Sequence, residues 1–445
     1  MKHHRLAALV LAALMLAAFA PTGLADEQVE IHVLNYLDMT NANTVDGVKV
    51  SFDAFEEARP DIKLVREDEF NEPFHQATEA YAASGNLPDV LYAWPSGRST
   101  TLHTQKLLKD LTPLIERDGL ADYYIPLVLN PSSQAGGYQA ILPQGVTATN
   151  AFFINLEVLE AVGLEPAQTY SELVAQVPVL AAAGYDTILM ANQDTWVMQS
   201  CLFSLVAGRF CGEGWEQKIL SGEAKFTDPD FVAALAFIKQ MYDDGVLNQS
   251  TLATGYGEGP GLFGTNTAAY YIDGDWRVGA FVTDASTGEA VIDPSRQENF
   301  LITVFPDIDV PGVKFNKSNT AVLGTGWGIS ASLEDGSPEL EAAWDLVKWL
   351  VGQEVQTWQV STGAIVTPSR TDIDYSTLTL EPLQVAIANL GGEYDKSTVV
   401  IDGSFEGPVY TPLNDGLQAI GLGIQTPEQV AQSAQDAFEA WKSAQ

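Results

Sequence analysis

The chain has 445 residues, 46% of them hydrophobic and 10% aromatic, with 18% charged. That length allows two or three domains with large cores, and the composition excludes a disordered chain. Lys and Arg number 22 against 58 Asp and Glu, a formal net charge of −36, which argues against a nucleic-acid partner, whose phosphate backbone is held by Lys and Arg, and against docking on an anionic membrane.

Lys2 and Arg5 make a basic start, Leu6 to Ala20 is an unbroken apolar run, and Gly23-Leu24-Ala25 precedes the polar Asp26-Glu27. This is the pattern of a secretory signal peptide at residues 1–25, cleaved after Ala25. The run is shorter than the ~20 apolar residues of a spanning helix. No cysteine lies beside the cleavage position, so no lipid anchor is expected. Removing the leader takes two basic and no acidic residues and moves the net charge to −38.

Short β runs then alternate with amphipathic stretches, the pattern of α/β layers. Val29 to Leu34 predicts a strand. Val45, Val48, Phe52 and Phe55 recur at helical spacing up to Pro60. Ile62 to Val65 is a strand, Pro73 to Ser84 a helix closed by Gly85, and Val90 to Trp94 a strand. The short connections between them fit a doubly wound sheet. Tyr138 to Leu142 and Phe152 to Ile154 predict strands, and Ser171 caps a helix ending at Gly184. Cys201 and Cys211 are the only cysteines. A disulfide between them requires the helix to break, at Gly208, because ten helical residues span about 15 Å; two buried thiols are the alternative. Asp228-Pro229 opens a helix ending at Gly245. Gly255 to Gly261 is Gly-rich but lacks the strand–turn–helix setting of a phosphate cradle, so it reads as a surface loop. Ala268 to Ile272 is a strand, with a helix expected from Trp276. Gly328 to Ala331 is a strand, Ser337-Pro338 opens a helix carrying Leu340, Trp344, Val347 and Leu350, and Thr426 to Gln429 is a capping box for a terminal helix.

Chemistry-bearing motifs are sparse. His32, His75 and His103, beyond the leader, form no metal-binding spacing, and neither a P-loop nor a GxSxG elbow occurs. No cofactor, metal or catalytic residue is expected, although 58 acids leave paired carboxylates of a glycoside hydrolase formally open.

Several segments resemble the extracellular solute-binding proteins of ABC importers, specifically the sugar-binding group that includes maltose-binding periplasmic proteins. They are, in the family's order, Phe52 to Lys63 (FDAFEEARPDIK), Ala82 to Val90 (AASGNLPDV), Leu107 to Ile115 (LLKDLTPLI), Phe153 to Leu164 (FINLEVLEAVGL), Pro166 to Leu173, Ala268 to Trp276 (AAYYIDGDW) and Thr362 to Arg370 (TGAIVTPSR). Lys106 stands where the family has Gly, and Tyr170 where it has Trp. The resemblance implies a two-lobed α/β fold of the periplasmic-binding-protein kind, each lobe a sheet flanked by helices, with three crossings at the hinge. One lobe would comprise residues 29–145 with 324–366, the other 146–323 with 367–445. It further implies a periplasmic protein that closes on a sugar or oligosaccharide and hands it to ABC permease transmembrane subunits served by a separate ATPase subunit; a monomer is expected because no stripe for an oligomer stands out in the sequence. A polyamine-type cationic solute is the alternative that the acidity suggests, and a secreted carbohydrate-active enzyme a third.

A sugar offers C–H faces to aromatic rings and hydroxyls to amides, carboxylates and Arg, so candidates are such residues just past strand ends. Tyr36 and Asp38 follow the first strand, where Asp38 could equally cap a helix. Asn71 follows the second, with Phe74 assigned to the core. Trp94, Ser96 and Arg98 follow the third, Arg98 being open to a salt bridge instead. Gln144, Thr147 and Asn150 lie at the first crossing; Thr147 replaces the Glu of maltose-type relatives. Trp196 opens a helix. Asp273, Asp275 and Trp276 belong to the family's AAYYIDGDW-like segment. Trp327 lies between glycines at the second crossing, and Glu406 and Tyr410 precede the terminal helices. Trp215, Trp344, Trp349 and Trp441 are assigned to packing.

Overall fold

A computed structural model describes residues 28–39, 42–285 and 287–444; the expected leader lies outside the described residues. The strands are β1 (Val29–Tyr36), β2 (Ile62–Glu69), β3 (Val90–Ala93), β4 (Ile141–Pro143), β5 (Gly145–Ala148), β6 (Ala151–Asn155), β7 (Asp186–Leu189), β8 (Ala268–Asp273), β9 (Phe300–Thr303), β10 (Ser318–Leu323), β11 (Gly326–Ile329), β12 (Thr367–Pro368) and β13 (Lys396–Thr398). They form a sheet of order β2-β1-β3-β11-β4, a sheet of order β7-β8-β6-β9, and a third of order β12-β5-β10-β13.

In the first sheet β1 lies parallel to β2 and β3, while β11 runs antiparallel to β3 and β4. Both faces are covered, so successive residues of one strand enter different cores. Ile31 and Val33 pack with Phe52, Trp344 and Val347, and Leu34 packs with Phe74 and Leu91. The β6 strand behaves alike: Phe152 and Ile154 join Tyr270 on one face, and Phe153 joins Tyr271 and Phe281 on the other. These are two α/β lobes.

The third sheet joins them. The chain leaves the first sheet at β4, passes through β5 and enters the other lobe at β6. It returns through β10 into β11. β5 pairs antiparallel with β10, Thr147 opposite Val322, and with β12, Val146 opposite Thr367. The crossings are therefore hydrogen-bonded to one another.

Local signals explain most boundaries. Ser337 accepts from the Leu340 N–H at the start of helix Pro338–Leu350, and Thr426 and Gln429 form a reciprocal capping box. Three expectations change. The cap of helix Tyr170–Ala183 is Thr169, whose hydroxyl accepts from Glu172 N, rather than Ser171. The segment at Trp276 is a short 3-10 helix, Asp275–Ala280. The Cys201–Cys211 disulfide is absent: both thiols are free. The helix does not break at Gly208, but runs as π-helical turns over Gln199–Phe203 and α-helix over Ser204–Cys211. Gly208 serves close packing instead, since a Cβ there would sit 2.6 Å from Thr398 Cγ2. Among the described residues no helix is long and apolar enough to cross a membrane.

Candidate functional site

A cavity of about 390 Å³ lies where the two lobes face each other over the linking sheet. Its first wall is built from the ends of β1, β2 and β3. Tyr36 stacks on Tyr92 with ring centroids 5.6 Å apart and planes at 12°, and meets Trp94 edge-on at 5.3 Å. Phe70 packs on Tyr36 at 4.9 Å, His75 on Trp94 at 4.9 Å, and Trp327 against Tyr92 at 5.3 Å. Phe74, fully buried, supports Tyr36 from behind at 5.1 Å. Such edge-to-face and offset contacts hold each ring where its π-face is fixed for a ligand.

The second wall carries Trp196, Tyr256 and Trp276. Trp196 lies 5.0 Å from Tyr256 and 6.3 Å from Trp276, whose Nε1 donates to the Tyr256 hydroxyl at 2.7 Å. Trp276 folds back over Gly274, where a Cβ would come within 2.2 Å of its ring. Arg277 Cζ stacks 3.6 Å from the Tyr256 centroid, and its Nε donates to Asp273 Oδ2 at 2.8 Å. The floor is formed by the crossings: Gln144 to Thr147, Val322 to Thr325, and Gln359 with Ala364 to Val366. Gln359 Nε2 donates to Gln144 Oε1 at 2.7 Å, and the Tyr92 and Thr325 hydroxyls hydrogen-bond to each other.

Burial sets the charge states. Asp275 accepts from Ala148 N of β5 at 2.8 Å, yet desolvation pushes its carboxyl up to about 7, outweighing the backbone N–H groups that favour the anion. His75 is pushed down to about 3 by burial, with the Arg98 cation adding to the effect. Burial also raises Asp402, opposed by Arg98. Arg98 donates to Glu72 Oε1 at 3.0 Å and Asp402 Oδ2 at 3.5 Å. It thus makes ion pairs, the alternative left open for it, with its side chain largely buried, and lines the cavity as well.

Of the sequence-derived candidates, Tyr36, Asp38, Asn71, Trp94, Ser96, Arg98, Gln144, Thr147, Trp196, Asp275, Trp276 and Trp327 line this cavity. The others lie off its wall. Asn150 is buried within its lobe, donating to Cys201 O at 2.6 Å and accepting from Phe305 N. Asp273 sits beneath the wall, holding Arg277, the Tyr271 hydroxyl and Gly274 N. Glu406 precedes helix Gly407–Gly421 and accepts from Trp441 Nε1 at 3.0 Å. Tyr410 lies under Arg98, 5.4 Å from its Cζ. Lining residues that strand-end reasoning passed over are Phe70, His75, Tyr92, Tyr256, Arg277, Trp358, Gln359 and Asp402. Phe70 directly follows β2 and was accessible to the same rule. Tyr256 lies in the Gly-rich stretch read as a surface loop, but is 8% exposed. Among the described residues no cluster of His, Cys, Asp and Glu has the arrangement of a metal site.

The geometry has counterparts in known structures. A structure from work on xylan utilization by the thermophilic bacterium Caldanaerobius polysaccharolyticus superposes with a TM-score of 0.80 at 20% identity, over 92% of this chain and 99% of that one. A chitin oligosaccharide binding protein gives 0.79 at 19%, over 93% and 99%. The maltose/maltodextrin-binding domain MalE from Bdellovibrio bacteriovorus bound to maltotriose gives 0.70 at 18%, over 93% and 100%. At these identities the likeness shows the fold, that of the periplasmic binding proteins. A search of curated proteins finds no significant match. Residues 51–377 match the family model described as bacterial extracellular solute-binding protein, and the chain belongs to that family.

Proposed function

We propose that this protein captures a saccharide between its lobes and delivers it to an ABC permease whose ATPase is a separate chain. The carrying observation is a single cavity with aromatic rings on both walls, Tyr36, Trp94 and Trp327 facing the side of Trp196, Tyr256 and Trp276, above a floor of amide and hydroxyl groups. Rings cover sugar C–H faces, and the amides, Asp275 and Arg98 meet hydroxyls, where each unpaired buried group would cost about 1–3 kcal/mol. The xylan, chitin-oligosaccharide and maltotriose contexts of the structural counterparts support this reading. In this reading the lobes comprise residues 29–145 with 324–366 and 146–323 with 367–445, and cargo selects the closed arrangement. The protein works as a periplasmic monomer, released from its leader after Ala25 and carrying no lipid, and it binds its cargo without transforming it.

A polyamine fits less well. Asp402 faces Arg98, Asp275 is held toward its protonated form, and two guanidiniums line the same cavity. Calorimetry with mono- and oligosaccharides of glucose, xylose, galactose and N-acetylglucosamine, with spermidine as the control, tests the proposal. At least one saccharide is expected to bind and be recovered intact. Silence from every sugar, or salt-sensitive spermidine binding, would overturn it. Trp276→Ala should weaken the sugar by about 30-fold or more, the loss of about 2 kcal/mol typical of a central aromatic contact.

A further inference from the structure

The linking sheet is not the only join between the lobes. Two further contacts, each between protein groups of the two lobes, cross the cleft directly.

The first centres on Asn71. Its backbone has φ 57° and ψ −139°, a conformation that non-glycine residues rarely adopt. It stands where β2 turns into helix Glu72–Ser84, and its Nδ2 donates across the cleft to Asp194 Oδ1 at 2.6 Å. The other oxygen of Asp194 accepts from Tyr256 N at 2.9 Å. One carboxylate therefore holds both the opposite lobe and the segment that carries Tyr256. Beside this pair, Phe70 and Tyr256 lie with ring centroids 6.3 Å apart.

The second contact is at Gly97, with φ +52°. A Cβ there would lie 1.3 Å from the carbonyl oxygen of Asp402 and 2.4 Å from its carbon. Only glycine lets the two backbones meet so closely. Asp402 cannot retreat easily, because its neighbour Ile401 is fully buried in the other lobe's core and donates its N–H to Ser204 Oγ at 3.0 Å. Arg98 then reaches Asp402 Oδ2 from the same turn.

We propose that Asn71–Asp194 and Gly97–Asp402 are the two points of a clasp that holds the cleft shut without cargo, and so sets the fraction of empty molecules that are closed. The inference rests on the reading of the lobes as a closing pair, but not on which solute they enclose. A protein biased toward closure binds a complementary solute without first losing free energy to a conformational change.

The test uses the mature chain, empty, in solution. Spin labels go on cysteines introduced at the exposed positions Glu79 and Asp415, one on each lobe, in a Cys211→Ser background. Small-angle scattering is recorded on the unlabelled protein. The empty wild type is expected to show a populated short label distance, that of the closed structure, a population that cargo then enlarges. Gly97→Ala, which places a methyl in the contact, should shift the distances to a longer population and raise the radius of gyration. Asp194→Ala should shift them in the same direction by removing both hydrogen bonds, with a fall in the closed-to-open ratio of about ten- to a hundredfold. Circular dichroism melts establish that each variant is folded. The clasp is overturned if the empty wild type is already open, or if either folded variant keeps the wild-type distances. These readouts need no sugar: a chain that opens on Gly97→Ala but binds no saccharide would keep the clasp and sink the cargo assignment.

Discussion

Two titratable side chains in the cavity, Asp275 buried and His75 half-buried, pull stability in opposite directions with pH. Asp275 holds a proton in the folded chain up to about pH 7, whereas in the unfolded chain it ionises near 3.8. Its contribution is therefore fully present below the unfolded value and is lost as pH rises to about 7. His75 is neutral in the folded chain down to about pH 3, against an ordinary value of 6.5. The unfolded chain gains that proton first, so stability falls as pH drops from 6.5 toward 3. Melting temperatures between pH 4 and 8 should show Asp275→Asn gaining on the wild type as pH rises to 7, then running parallel to it. His75→Phe should gain on the wild type below pH 6.5. A pH-independent difference for either variant would refute the assignment. Neither shift was legible from residue types: both come from the packing around the groups. What the sequence did reveal at this scale was position, since most of the aromatic and polar candidates line the cavity. Asn150 and Asp273 lie off that wall because a residue near a strand end can as well point into its own lobe.

Helix Ser204–Cys211 shows how one element organises several segments. Arg209 is fully buried in it and donates to the carbonyls of Pro306 at 2.6 Å and Phe305 at 2.8 Å, and to the Ser318 hydroxyl at 3.2 Å. Burial pushes its guanidinium down to about 10. Arg209 ties the chain beyond β9 to the start of β10, which is part of the linking sheet. Arg209→Met leaves those oxygens without donors and should cost about 2–4 kcal/mol, read from urea unfolding, with Arg209→Lys between it and the wild type. An unchanged midpoint for Arg209→Met would refute this role. The same helix separates the cysteines. Alkylation of the non-reduced, denatured protein should modify both Cys201 and Cys211, and a blocked pair would contradict the unbroken helix. Strands and capped helices were largely legible, because alternation, Ser337 and Thr426 act locally. Gly208 was misread as a break, since the neighbour that explains it, Thr398, is remote in sequence.

For the whole molecule, family and two-lobed architecture were legible in ordered motifs spread from Phe52 to Arg370. The acidity was uninformative about the cavity, because a net charge says nothing about where the few cations stand, and two of them, Arg98 and Arg277, line the site. Nor could the sequence show that the Gly-rich stretch brings Tyr256 inside, a placement that depends on Asp194 and Trp276. The linking sheet carries a consequence for how cargo is read. With the crossings hydrogen-bonded side by side, sliding of one lobe along the other would have to break several backbone pairs together, while swinging bends them in concert. The permitted motion is then close to a rotation about one axis, and each residue of one wall returns to the same opposite number in every cycle. Selectivity can reside in fixed cross-cleft pairings, so exchanging a single side chain on one wall retunes a single position of the cargo and leaves its neighbours undisturbed.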